Sequence, residues 1–503
     1  MEYSKLRNAG VLAHVSSLPS NNGVASFGKD ALSFIDIISA SGFSFWQVLP
    51  LCPIGSGNSP YSSVSAFAGN ELFIDLESLC DEGYLDKSEL PHFEGDIQFI
   101  DWDEIKAKKL PVLKKAVSNI RKSIKKNKKL LNEYEQFKNN AAYWLEDYAV
   151  FSVSSSVVGS LAWNYNWPDG LKKHVKNAIA TFKNKYNAEI EECCLKQFIF
   201  RKQWQRVKSY ANKKGIKIIG DLPYCSGEHS AEVWANTNLF YFDKDLRKTK
   251  SVGVPPDAFS STGQLWGNPQ YKWSEHKKEG YRFWIERIKA NLTLFDYLRL
   301  DHFRGFESSW TVDANEQNAI NGKWEKSGGY NLFDAIYKTF GFTPEDNPFI
   351  AEDLGVITEE VDALRKHLGM PSTRVMEFAF NHHNRDPHLP HMWDSDVVGY
   401  LGTHDNNTLI GWWQNDVSEY ERDNVRRYFY ADDGSAPWYM MRSLVASRAP
   451  VVLFTLQDLM FLPSEYRLNK PGTVGNHNWS WKATKMFDAP KFKELLERFA
   501  RIQ

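Results

Sequence analysis

This 503-residue sequence has almost no net charge, few cysteines and no long apolar run, and each shortage removes a class of function. Lys+Arg number 61 against Asp+Glu 62, a formal net charge of -1. That balance supplies no field for nucleic acid or an anionic membrane, and neither is expected as a partner. The five cysteines are Cys52, Cys80, Cys193, Cys194 and Cys225. An odd set without a CxxC pair supports neither a disulfide framework nor a zinc site. No apolar stretch approaches the ~18 residues needed to cross a bilayer. The opening MEYSKLRNAGVLAHVSS lacks the apolar core and cleavage site of a secretory signal, so a cytoplasmic protein is expected. Internal repeats and low-complexity linkers are also missing. Glycine-rich GSGNSPY lacks the GK[ST] ending of a nucleotide-binding loop.

Aromatic residues are plentiful: 18 Trp, 22 Tyr and 32 Phe. Many belong in a core, yet a surplus of Trp and Tyr also suits a cleft that stacks flat, amphipathic ligands. With 42% hydrophobic and 24% charged residues, the chain is an ordinary core-forming one. Its length fits one large α/β domain with insertions, or two to three ordinary domains.

Eight short, β-rich apolar runs recur: Val11–Val15, Phe45–Leu49, Lys217–Asp221, Tyr297–Asp301, Phe349–Glu352, Arg374–Phe378, Val397–Leu401 and Val451–Leu456. Eight is the strand count of a closed (β/α)8 barrel. Continuous apolar runs, rather than strict alternation, are expected of parallel strands buried on both faces. Helical periodicity lies between them, as in Ala31–Ala40, Tyr281–Leu292 and Glu359–Leu368. The spacing predicts an insertion over 51–214, after the second strand and mostly helical from about 104. A second insertion or loop region, also expected to be mainly helical, is placed over 225–275, after the third strand. The last run lies so near the end that no C-terminal β-sandwich is expected. The lysine-rich Arg121–Lys129 reads as a solvated helix face.

Three carboxylates stand at or just past predicted strand ends: Asp301 in YLRLDHFRG, Glu352 in PFIAEDLG and Asp405 in YLGTHDNNT. In a (β/α)8 barrel those ends face the active-site mouth. Two carboxyl groups flanking a glycosidic bond are the equipment of glycoside chemistry, one attacking the anomeric carbon while the other protonates the leaving oxygen. Arg299, two residues before Asp301, faces the same side of its strand and would pair with it. His302 and His404 could donate to sugar hydroxyls.

These motifs resemble those of the amylomaltases, the 4-α-glucanotransferases or disproportionating enzymes related to the α-amylase clan. GVLAHVSSLPS, WQVLPLCPIGSGNSPYSSVSAFAGN, IGDLPYCSG, VGVPPDAFSSTGQLWGNPQY, QDLMFLPSEYRLNKPGT and GNHNWSW continue the similarity nearly end to end. The resemblance implies that Asp301 is the nucleophile, Glu352 the general acid/base, and Asp405 the third carboxylate, holding and distorting the sugar. It implies that Arg299, His302 and His404 line that subsite and that Tyr61, preceded by Ser59, is an aromatic platform. Asp221, Asp257, Gln264, Trp266 and Asn469 match groove residues. Maltooligosaccharides and other α-1,4-glucans are the implied substrates, with no metal or cofactor and a monomer or homodimer as the assembly. The sequence departs from the family pattern at Cys225, Ser226 and His229, and at Ser372, Glu377, Met392 and Trp393. A retaining amylase-like hydrolase and an inactive glucan-binding protein are the alternatives. The histidines His382, His383, His388 and His391 read as a loop, because their spacing fits no standard zinc site.

Overall fold

The computed structural model describes residues 6–94, 98–256, 260–381, 385–475 and 477–502. Among the described residues twelve strands follow one another: β1 Asn8–Leu12, β2 Phe45–Gln47, β3 Lys217–Leu222, β4 Lys250–Val254, β5 Gln264–Pro269, β6 Tyr297–Leu300, β7 Ser308–Asp313, β8 Lys323–Lys326, β9 Phe349–Ala351, β10 Ser372–Val375, β11 Val397–Tyr400 and β12 Val451–Thr455. Eight of them close a barrel in the order β1-β12-β11-β10-β9-β6-β3-β2. Every neighbouring pair in it is parallel. Their burial explains the apolar runs: all residues of β1, β11 and β12 are buried. A strand with helices outside and packed side chains inside has no face for solvent.

Each of the eight predicted runs overlaps a barrel strand, with shifts at two. The first strand begins at Asn8, and Val15–Ser17 is a 3-10 turn. Asn8, Ala9 and Gly10 are poor strand formers, yet the ladder to Val451–Thr455 recruits them. Gly10 is needed there, because a Cβ would come within 2.5 Å of Phe45 Cβ and 2.6 Å of Leu453 Cδ2. The sixth strand likewise starts earlier, at Ser372, and Met376–Phe378 turns away.

Between β2 and β3 the chain is mostly helical, including Trp102–Ile124, Lys128–Asn140, Leu145–Val158 and Asn187–Lys213. Asp101 and Asn127 cap the first two by accepting from backbone N–H groups. Lys125, Lys126, Lys128 and Lys129 are exposed at their junction. The long helix Asn187–Lys213 fixes the loop after β2 from outside. Gln197 bonds both the N–H and the C=O of Gly69, and Gln203 does the same to Asp75. A side-chain amide satisfying both backbone groups holds a loop as a strand partner would.

The excursion after β3 differs from the mainly helical insertion expected. It carries β4 and β5, which join β7 and β8 from beyond β6 in an antiparallel sheet of order β5-β4-β7-β8. QLWGNP and KWEK have little apolar patterning of their own, and β8 is largely exposed. They become strands through their partners, which local propensity does not reveal. Beyond β12, the described residues form helices such as Leu456–Leu459 and Ala489–Arg498 and no further strand. No helix among the described residues is long and apolar enough to cross a membrane.

Candidate active site

Strand register brings the first charged groups together. β3 and β6 pair Asp221 with Arg299, so their side chains project from the same face of adjacent strands. Arg299 Nη1 lies 2.8 Å from both oxygens of Asp221 and 3.2 Å from Asp301 Oδ1. The Tyr61 hydroxyl donates to Asp221 Oδ2 at 2.8 Å. The side chains of Asp221 and Arg299 are 0% and 5% exposed, whereas that of Asp301 is 27% exposed. A buried ion pair is tolerated only when its remaining hydrogen-bonding capacity is used, and here Tyr61 and Asp301 use it. Burial raises the Asp221 pKa, with Arg299 opposing.

Glu352 follows β9 directly, and its Oε2 accepts the backbone N–H of His302 at 2.7 Å. His302 adopts φ 48°. This left-handed conformation costs a non-glycine residue about 1 kcal/mol or more. It turns the N–H toward Glu352. Burial pushes the Glu352 pKa to about 8; Arg299 opposes the rise and Asp301 adds to it. Burial also lowers that of His302 to about 4, leaving the ring neutral. Trp266, on β5, sets its ring edge-on to His302 at 4.8 Å, and its indole N–H donates to Gln264 Oε1 at 3.4 Å.

Asp405 lies on the loop after β11 and is placed by contacts from the far end of the chain. Asn469 Nδ2 donates to its Oδ1 at 2.7 Å, and Arg467 donates to its backbone carbonyl. Arg467 Nε also donates to Asn469 O at 2.6 Å. His404 Nε2 is 3.4 Å from Asp405 Oδ2. The His404 ring stacks on Tyr61 at 5.2 Å and 13°, and Trp479 packs 5.8 Å from Tyr61 and 5.9 Å from His404. The contacts therefore run unbroken from Glu352 through His302, Asp301, Arg299, Asp221, Tyr61 and His404 to Asp405 and Asn469.

Buried polar atoms without partners gather here: His302 Nε2, His404 Nδ1, His14 Nδ1 and Gln47 Nε2. Buried polar groups are normally satisfied, and a polyhydroxylated ligand could satisfy those that reach the cleft. Gln47 Oε1 accepts from the Tyr400 hydroxyl at 2.8 Å, and burial, reinforced by His404, lowers the His14 pKa to about 3. Tyr61 and Asp221 also line a pocket with Cys52, Cys225, Glu232 and Arg287, and that lining includes none of Asp301, Glu352 and Asp405.

Of the expected groove residues, Gln264 and Trp266 lie beside His302. Ser59 Oγ accepts from Tyr61 N–H at 3.2 Å and so shapes the turn that carries Tyr61. Asp257 lies outside the described residues. Sequence reasoning missed Gln47, Arg467 and Trp479. All three sit inside quoted motifs, but only the fold brings Arg467 and Trp479 to Asp405 and Tyr61. Ser372 is buried and donates to both oxygens of Asp353, while Trp393 packs against Gly399 of β11. His388 Nδ1 accepts from Val375 N–H, and His391 Nδ1 is 2.8 Å from the Tyr428 hydroxyl. His382 and His383 lie outside the described residues. Among the described residues no group of three His, Cys, Asp or Glu could hold a metal ion.

A sequence-family model described as 4-alpha-glucanotransferase matches residues 13–487. A 4-alpha-glucanotransferase of Aquifex aeolicus is 42% identical over 503 residues, covering 99% of this chain and 100% of that protein. One from Thermus thermophilus is 40% identical, covering 95% of this chain and 94% of its own. Among solved structures, an amylomaltase from Streptococcus agalactiae in complex with acarbose aligns with TM-score 0.93 at 34% identity, covering 99% of this chain and 100% of that one.

Proposed function

This chain belongs to the 4-alpha-glucanotransferase family, and we propose that it moves a segment of a 1,4-α-D-glucan to the 4-hydroxyl of glucose or another glucan by retaining double displacement. The observation that carries this reading is the pairing of two carboxyl groups in unlike settings. Asp301 stands partly exposed beside Arg299, and Glu352 is buried with its pKa near 8. A nucleophile and an acid need such a difference.

In the first step an Asp301 carboxylate oxygen attacks C1 of the donor glucosyl unit. The bond from C1 to the leaving oxygen breaks, and that oxygen takes the Glu352 proton. The leaving glucan departs, and Glu352, now a carboxylate, removes the proton from an acceptor's 4-hydroxyl. The acceptor oxygen then opens the glycosyl ester, restoring Asp301 and the original anomeric configuration. Asp405, steadied by Asn469, would hold the hydroxyls of the reacting glucose, with His302, His404 and Arg299 around it and Tyr61 as its platform. Gln264, Trp266 and Asp257 would extend the groove. Asp221 is buried and committed to Arg299 and Tyr61, so we assign it to positioning them.

Transfer prevails over hydrolysis where water is excluded and an acceptor sugar is bound. We infer that the segments 51–214 and 225–275 act as insertions that wall the groove for this purpose. We also assign the protein to the cytoplasm, where its five unpaired thiols are stable, as a monomer or homodimer. Incubation with pure maltotriose tests the reaction: glucose and longer maltodextrins should appear with total reducing ends unchanged. Rising reducing ends with only shorter sugars would identify a hydrolase instead.

A further inference from the structure

The loop that carries His404 and Asp405 rests on a carboxyl group that the proposed reaction does not use. Glu377 follows β10 in the turn Met376–Phe378 and is 6% exposed. Its backbone N–H donates to Leu401 O at 3.1 Å, at the end of β11, which anchors it under residues 402–409. Neither of its carboxyl oxygens makes a hydrogen bond of good geometry, and the one neighbouring donor is the Asn406 amide. A Cβ built on Gly402 would meet Glu377 Oε1 and Asn406 Cβ, each at 2.9 Å. The carboxyl group and Asn406 therefore fill the space beneath the start of the loop, and position 402 has no room for a side chain.

The surroundings decide the state of this group. Asn406 folds the loop by accepting from the N–H and the hydroxyl of Thr403, both at 3.0 Å. The ionisable groups facing Glu377 are Asp458, Asp416 and Arg467. Asp458 is itself buried; its Oδ1 accepts from Leu409 N–H at 2.7 Å and its Oδ2 has no partner. Arg467 is already engaged by the carbonyls of Asp405 and Asn469.

We propose that Glu377 is a positioning residue which, in its uncharged form, supports the loop that delivers His404 and Asp405 and leaves Arg467 free to hold Asp405. A buried carboxylate with two acids nearby and only the Asn406 amide as a weakly placed donor is costly, so the group keeps its proton. Burial raises its pKa well above the usual carboxylate range, and Asp458 adds to the rise. Ionised, Glu377 would draw Arg467 as its counter-ion. The guanidinium would then leave the Asp405 and Asn469 carbonyls, and Asp405 would loosen while Asp301 and Glu352 stayed in place.

This inference rests on the role given to Asp405, and the test separates the two. In maltotriose disproportionation, Glu377→Ala should lower kcat about 10- to 100-fold while KM moves less than about 3-fold. Glu377→Gln, which keeps shape and neutrality, should recover most of that loss. In an Asp405→Asn background, Glu377→Ala should cost no more than about 2-fold further, because coupled residues are not additive. A Gln variant as poor as the Ala variant would overturn the proposal, as would an Ala penalty undiminished in Asp405→Asn. If Asp405→Asn alone left turnover intact, the role of Asp405 would fail first. Should Glu377→Ala not fold, acarbose binding by wild type and Glu377→Gln can be compared by calorimetry near neutral pH, where affinities within about 3-fold are expected; a loss above about 10-fold in Glu377→Gln would refute the proposal.

Discussion

On the β3–β6–β9 side of the cleft, Asp221, Arg299, Asp301 and Glu352 are set by the barrel ladder, whereas on the β11 side Asp405 stands beyond its strand and is held by residues more than sixty positions away. The first wall is buried except for the partly exposed Asp301, and its charges are locked by strand register. The second is built from loops, and its hydrogen bonds come from Asn469 and Arg467, with His404 Nε2 close to the carboxylate. Changes in the strand wall should therefore cost chemistry and stability together, while changes in the loop wall should cost chemistry alone.

The largest expected effect tests the strand wall at its reacting atom. Asp301→Asn should lower transfer at least about 10^4-fold and leave acarbose affinity within about tenfold; appreciable residual transfer would remove Asp301 from its role. Arg299→Met should destabilise the fold by about 3–5 kcal/mol in urea unfolding, because it strands Asp221 as a buried, unpaired acid. Unchanged stability would mean that register alone supports this wall.

The third prediction concerns protons. Glu352 acts as an acid only while protonated, and its pKa is raised to about 8. Activity should therefore hold below that value and fall about tenfold per pH unit above it, as a pH series of kcat/KM would show. A fall centred near the ordinary carboxylate range would contradict the burial argument. The smallest effect belongs to the loop wall. Asn469→Ala removes one hydrogen bond to the Asp405 carboxylate and should cost about tenfold in kcat/KM. The melting temperature should move by no more than about 2 °C. A large loss of stability there would erase the contrast between the two walls.

The strand wall was legible in the sequence because its residues lie on or next to apolar runs: YLRLD and PFIAE carry strand and carboxylate in one stretch. The loop wall was legible only in part. GTHDN marks Asp405 just past a strand end, but nothing local says that Arg467 meets it or that Trp479 packs against His404. The small antiparallel sheet escaped for a related reason. QLWGNP and KWEK have weak strand propensity, and their pairing with KSVGV and SSWTVD is non-local.

By itself, then, the sequence determined the barrel's eight strands, the helical stretch between the second and third, and the three carboxylates near strand ends, because burial on both faces writes continuous apolar runs and strand ends point into the mouth. Tertiary structure alone decided the environment of each group: the burial that raises Glu352, the shared guanidinium of Arg299, the stack of Tyr61 on His404, and the burial of Glu377 under the Asp405 loop. Those depend on which distant segments exclude water from a given atom, and exclusion of water is a property of packing that no single stretch of chain encodes.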